Sequence, residues 1–342
     1  MLVSGGSWVG IDVSKHWLDV CVTSQGSPFR VTNDHTGVTR ILQELCKQPV
    51  AGIVFEHTGQ YSEPLWRWLR DAHVHPSLVH PNHISNYRKS GFGRAKTDRS
   101  DARLLAVFGE ERHPRITLCR TATEQALHDL LHARRGVVNA RIAAKHRMRA
   151  SWSPALMQIH RDFMVSVTRQ IQLLEHEIAR TIASDPRTQY RDELLQSVKG
   201  IGLIRSALLI ADLPELGTID RKKIAMLVGL APIAKDSGQA SKPRYTAGGR
   251  SLIRSELVMV ARTPRAELAI RAHRAPLLLR HEQKVKSDTA TARWLLTALN
   301  AMIRDGLRWE ELECTRNAAE EVQTTSCPDC ITSQGTKGSS TL

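Results

Sequence analysis

No stretch of about 18 apolar residues occurs in this 342-residue chain, so no membrane span is predicted. The opening MLVSGGSWVGIDV lacks a basic segment followed by a long apolar run, so no signal peptide is expected. Cysteine is sparse: Cys21, Cys46, Cys119, Cys314, Cys327 and Cys330 are scattered except for the last pair. That usage argues against a disulfide framework and for a cytoplasmic setting. Acid is short, with 34 Asp and Glu against 48 Lys and Arg, a formal charge of +14. An excess of this size points to a polyanionic partner, nucleic acid first. No internal repeat is visible. With 41% hydrophobic and 24% charged residues the chain is neither disordered overall nor fibrous. Its length predicts about two domains with room for a linking element.

The first part reads as alternating strands and helices. WVGIDV (8–13) and LDVCVT (18–23) are short and β-rich around a turn at SKHW, and a third strand is expected near 28–32. TGVTRILQELCK (36–47) has helical spacing behind the capping candidates Asn33, Asp34 and Thr36. VAGIVFE (50–56) is a fully apolar central strand, 62–72 a helix, and SLVH (77–80) a strand ending at Pro81. The polar basic NYRKSGFGRAKT follows, then a helix from Asp98 to about Glu111. From Thr121 to about Asp185 the pattern is helical and Arg/Leu-rich, and Pro154 separates two long helices. These read as an antiparallel pair or coiled coil. Beyond about 190 come helix, tight turn and helix, a helix at 221–230, a Gly/Pro/Ser/Lys-rich loop at 231–250, and helices with breaks near Pro264 and Pro276. The expected divisions are 1–115, 116–188, 189–312 and a disordered tail at 313–342.

Four carboxylates stand at telling places. Asp12 lies in the first strand, Glu56 ends the apolar strand, and Asp98 and Asp101 lie three apart on one helical face. A carboxylate ending a hydrophobic strand is costly to bury without a partner. Alone, each is satisfied by backbone amides or by capping a helix. Together they form an all-oxygen set that favours Mg²⁺ or Mn²⁺. Two such ions about 4 Å apart can hold a phosphodiester.

GIDVSK, FEHTGQY and KTDRSDARLLA, followed by GIGLIRSALLIADL, LVGLAP and KDSGQ…GGRSLIRSEL, resemble in order and spacing the DEDD transposases of the insertion-sequence 110/1111 family, which includes the pilin-gene invertase. The resemblance covers about residues 8–305. It implies an N-terminal α/β ribonuclease-H-like (RuvC-like) domain, a long helical coiled-coil linker, and an all-α transposase domain with a helix-hairpin-helix-like turn. It implies that Asp12, Glu56, Asp98 and Asp101 bind the metal. Ser237, in Asp236-Ser237-Gly238, is unremarkable by composition, since Ser-Gly is a common turn. By resemblance it is the nucleophile that forms a covalent phosphoserine with DNA. The serine of one protomer would meet the acidic site of another in a homodimer or homotetramer. Donor and target DNA are the implied substrates, and a structured bridge or seek RNA the implied guide, in the bacterial cytoplasm at the nucleoid.

Cations mark the nucleic-acid surfaces. Lys242, Arg244, Arg250 and Arg254 flank the serine and suit a scissile phosphate. Lys199, Gly200 and Gly202 form the hairpin turn, where glycines let amides approach a phosphate. Tyr87, Arg88, Lys89, Arg94 and Lys96 precede the acidic helix, and Arg134, Arg135, Arg141 and Lys145 belong to the basic run 134–149. A solvated basic face is the plainer account of each patch. Cys327 and Cys330 form a lone CxxC, and Cys314 does not complete a zinc set. Two other functions compete. One is a junction nuclease that uses the carboxylates and water. The other is an actin-like ATPase, which GIDVSK also resembles but which needs a Gly-rich phosphate motif in a second α/β lobe.

Overall fold

The computed structural model describes residues 2–25, 27–56, 58–90, 98–117, 120–233, 244–264, 266–280 and 283–315, with the side chains of residues 2–4, 60, 98 and 99 outside that set. It divides into two compact units, Met1–Cys119 and Arg120–Leu342.

The first unit is α/β. Its elements are β1 (Leu2–Val13), β2 (Trp17–Val22), β3 (Phe29–Thr32), α1 (His35–Leu45), β4 (Val50–Glu56), α2 (Ser62–Asp71), β5 (Ser77–Val79), α3 (Pro81–Lys89) and α4 (Asp98–Arg112). The five strands form one mixed sheet in the order β3-β2-β1-β4-β5. β1 pairs antiparallel with β2 and parallel with β4, and β4 pairs parallel with β5. Ser14 closes the β1–β2 turn: its backbone N–H donates to the Trp17 carbonyl at 3.0 Å, and its Oγ accepts from the Trp17 N–H at 3.1 Å.

Side chains alternate between the two faces of the sheet. Val9, Ile11, Val13, Leu18, Val20, Ile53 and Phe55 pack with Val38 and Ile41 of α1 and Leu65 and Leu69 of α2. Trp8, Val54 and Val79 face the other way, against Ile84 of α3 and Leu104, Leu105 and Phe108 of α4. α3 occupies part of what reads in sequence only as a polar basic stretch. Its N-cap His80 accepts the Asn82 N–H, Pro81 starts its first turn, and Ile84 and Tyr87 supply its buried face.

The second unit is helical: α5 (Ala122–Arg149), α6 (Pro154–Ala183), α7 (Pro186–Gln196), α8 (Leu203–Asp212), α9 (Arg221–Val228), α10 (Ser251–Arg262), α11 (Leu268–Arg280) and α12 (Lys284–Asp305). Thr121 and Glu124 form a capping box that starts α5. Ser153 caps α6, with Pro154 at its first position. Joined by so short a connection, α5 and α6 run back along each other, and α5 alone is about 42 Å long at 28 residues. Leu127, Leu131, Ile178 and Ile182 root this pair in one core with α7–α12. Toward the hairpin tip Ile142, Leu156, Ile159 and Phe163 are exposed, and Trp152 is 97% exposed. The break expected at Pro276 does not occur there; Pro276 lies inside α11, on its exposed side, where water can take the carbonyl that its ring leaves unpaired. Trp309 and Leu312 are buried in the same core, and residues 316–342, including Cys327 and Cys330, lie outside the described set. None of the described helices is long and apolar enough to cross a membrane.

Candidate active site

The central strands bring acidic residues into one row. β1 and β4 are in register through Ile11 and Phe55, so Asp12 and Glu56 follow side by side at the strand ends. Asp12 pairs with Asp19 of β2, and Asp19 with Arg30 of β3. Paired residues share a face of the sheet, so Arg30, Asp19, Asp12 and Glu56 line up across four strands on the side that carries Val54 and α4.

α4 lies directly on that row. A Cβ on Gly10, two residues before Asp12 on the same face, would sit 2.1 Å from the Ala102 carbonyl oxygen and 2.3 Å from the Ala106 nitrogen. Only a residue without a side chain lets the helix backbone come so near the strand. This contact sets the α4 backbone at Ala102, one residue after Asp101 in the helix, and at Ala106 against β1 at Gly10. The Asp98 side chain lies outside the described residues.

Asp12 and Glu56 are half-buried, and the Asp101 side chain is 14% exposed. Arg88 of α3 donates to Asp101 Oδ1 at 2.7 Å, and Ser100 Oγ lies 3.3 Å from the same oxygen. Tyr87 is not an exposed guide for a strand: it is 8% exposed, packs edge-on against Phe108 and donates to Glu111 Oε2 at 2.6 Å. Burial and that bond push its phenol up to about 12. The two contacts clamp α3 to α4 and orient Asp101.

Asp19 joins the row without any sequence motif to mark it. It is 2% exposed, and Arg30 holds both of its oxygens, through Nε at 3.0 Å and Nη2 at 2.8 Å. Its sequence signal is an acid at an alternate position of an otherwise apolar strand, which must find a cation. Among the described residues, no group of three or more His, Cys, Asp or Glu is placed to hold a metal ion.

Of the other sequence candidates, Ser237, Lys242, Arg94 and Lys96 lie outside the described residues. Ile233 and Tyr245, on either side of the segment that contains Ser237, exchange backbone bonds of 2.8 and 3.3 Å. Arg250 grips Glu215 with both Nη atoms, and Arg254 Nη1 donates to the Gly248 carbonyl at 2.5 Å, so both are already engaged. Arg244 is exposed.

The tight turn before α8 is present. Gly200 has φ +109°, and Gly202 is the N-cap. The Lys199 amide donates to Glu267 Oε1 at 3.0 Å, so that donor is already taken. Arg134 bonds Glu175 at 2.6 Å, while Arg135 and Lys145 are exposed along α5, with Arg141 partly so. Lys89 is exposed at the end of α3.

A family model for DEDD transposases of IS110 matches residues 9–159. The model described as the transposase IS116/IS110/IS902 family matches residues 192–273. The chain is also similar to the pilin gene-inverting proteins of Moraxella lacunata and Moraxella bovis. It is 29% identical to each over 318 residues, which is 87% of this chain and 96% of theirs.

Proposed function

The chain belongs to the IS116/IS110/IS902 transposase family and is a DNA recombinase or transposase, and from that premise we propose that it cuts and rejoins donor and target DNA through a divalent-cation site and a phosphoserine intermediate. The observation that carries this reading is the row of Asp12 and Glu56 on the sheet face that carries α4.

The donor chemistry suits Mg²⁺ or Mn²⁺. Asp12, Glu56, Asp98 and Asp101 offer only carboxylate oxygens, and Arg88 occupies one oxygen of Asp101 while leaving the other. Such an ion, when bound, polarises the scissile phosphate and offsets its developing charge. The carboxylates would orient it, Asp12 and Glu56 from the sheet and Asp98 and Asp101 from α4. The first unit is accordingly a ribonuclease-H-like (RuvC-like) domain.

Ser237 supplies the nucleophile. Its Oγ forms a bond to phosphorus as the bond from phosphorus to the leaving-strand oxygen breaks. The serine proton passes to a base, which gives it to the leaving oxygen, so that oxygen departs as a hydroxyl. Attack by another strand's hydroxyl on the phosphoserine restores the serine and joins the new ends. The phosphodiester bond energy is conserved throughout, so no external cofactor is needed for rejoining.

Further expectations belong to the same reading. The exposed Ile142, Trp152, Leu156, Ile159 and Phe163 at the α5–α6 tip suit burial in a homodimer or homotetramer through a coiled coil. Arg135, Arg141 and Lys145 suit the backbone of a guide RNA, whose pairing leaves the protein to read shape rather than bases. The setting is the cytoplasm, at the nucleoid.

The test is a denaturing gel for a protein–DNA adduct, with Mg²⁺, element-end RNA and matched donor and target DNA. The wild type forms an adduct and Ser237→Ala does not. Cleavage without an adduct, unchanged in the variant, would replace this reading with a junction nuclease that uses water.

A further inference from the structure

The second unit contains an open cavity of about 460 Å³ between α9, α11 and α12. Its rim carries Arg221, Lys222 and Arg293, and among the described residues no carboxylate lines it. Among the described residues these three cations make no ion pair. Other arginines of the same unit have carboxylate partners: Arg262 and Arg274 share Asp288, Arg205 pairs with Glu256 and Arg250 with Glu215. Three unpaired cations converging on one hollow cost self-repulsion unless an anion joins them.

The wall is apolar and flat. Trp294 is stacked with His273, ring centroids 4.6 Å apart and planes 12° from parallel. The indole is braced edge-on by the buried Trp309 at 6.0 Å. Met226, 68% exposed, lies on the same cavity. Phosphate-binding cations around an aromatic platform are the combination that holds unstacked nucleotides. Paired bases in a duplex are stacked on both faces and cannot use such a platform.

The location points to the occupant. Pro232 lines the cavity, and the next residue, Ile233, bonds Tyr245 across the segment that contains Ser237. We infer that the cavity seats one unstacked nucleotide of the single DNA strand presented to that segment. The base lies at the Trp294–His273 platform, and the flanking phosphates lie on Arg221, Lys222 and Arg293. This inference rests on the DNA-rejoining reading above and adds to it a nucleotide site outside the carboxylate row.

The experiment uses the full chain and a single-stranded DNA dodecamer that contains 5-iododeoxyuridine. Photo-cross-links are mapped by mass spectrometry, and affinity is followed by fluorescence anisotropy against salt. The expected adducts fall on Met226, His273 or Trp294. Lys222→Ala/Arg293→Ala should lower single-strand affinity at least tenfold and reduce the log–log salt slope by about 1.4, at about 0.7 per lost phosphate contact. Binding of a blunt duplex should change less than twofold. The melting temperature of the variant, expected to match wild type, separates lost contacts from lost fold.

Cross-links confined to other elements, or an unchanged salt slope, would overturn the site. Preferential binding of the same sequence as RNA, with cross-links in the cavity, would overturn its assignment to DNA. Because photo-cross-linking needs no strand cleavage, Ser237→Ala should cross-link as wild type does. Wild type that forms the serine adduct but leaves the cavity unlabelled defeats this inference alone.

Discussion

Gly10→Ala tests the geometry of the carboxylate row without removing an acid. The added Cβ would lie 2.1 Å from the Ala102 oxygen and 2.3 Å from the Ala106 nitrogen, where ordinary contact begins at 3.4 Å. Relief therefore needs α4 to lift by 3.4 − 2.1 = 1.3 Å at the first contact and 3.4 − 2.3 = 1.1 Å at the second. Both clashes are with backbone, so no side chain can swing aside. The lift carries Asp98 and Asp101 away from Asp12 and Glu56 by a similar amount. A misplacement of about 1 Å at a catalytic constellation costs on the order of a hundredfold in rate. Overpacking of this kind costs about 1–3 kcal/mol of stability. Gly136→Ala is the control: it lies in α5 with nothing within 4 Å, so it should gain about 0.5–1 kcal/mol and leave cleavage intact. The assays are strand cleavage in Mg²⁺ and thermal melting, side by side. A Gly10→Ala protein that cleaves within about threefold of wild type would refute the claim that α4 sets the site.

Arg30→Met should destabilise the first unit by about 3 kcal/mol, because it leaves the buried Asp19 carboxylate unpaired opposite Asp12. Arg30→Met/Asp19→Asn should recover part of that loss in denaturant melts, and a double variant no better than the single one would count against the pair. Asp192 of α7 is buried and accepts from Ser206 Oγ and from Gln196 Nε2 at 2.7 Å. Burial raises its pKa despite those bonds. Its protonated form is thus favoured on folding, a contribution present below the ordinary carboxylate pKa and lost as pH rises through the raised one. Asp192→Asn should therefore gain stability over wild type at neutral pH and lose that advantage in acid, and a difference independent of pH would contradict the assignment.

Much of the architecture was legible from local pattern. The apolar run at 50–56 and the short β-rich segment at 8–13 each specify a strand, and Thr121 and Pro154 mark the starts of the long helices. α3 was missed because only Ile84 and Tyr87 of its nine residues are buried, too few to set a periodicity. Pro276 misled because a proline interrupts a helix by removing one donor, and tertiary packing carried α11 through it. Among the site candidates, Asp12, Glu56 and Asp101 stood out as carboxylates at element ends. Asp19 did not, since its importance comes from a cross-strand partner eleven residues away.

Side-chain type and short-range spacing therefore determined by themselves that this chain is a basic, two-part protein with an acidic set in its first part and cations throughout its second. Those properties depend on neighbours in sequence. Only tertiary structure decided which charges are spent and which remain. Strand register put Asp19 opposite Asp12 and gave Arg30 to it, and Glu215 took Arg250 from the basic face. Chain packing also brought Arg293 to the neighbours Arg221 and Lys222, from which it is far removed in sequence, around one hollow. Charge pairing acts through space over a few ångströms, so it is settled when the chain has folded and not before.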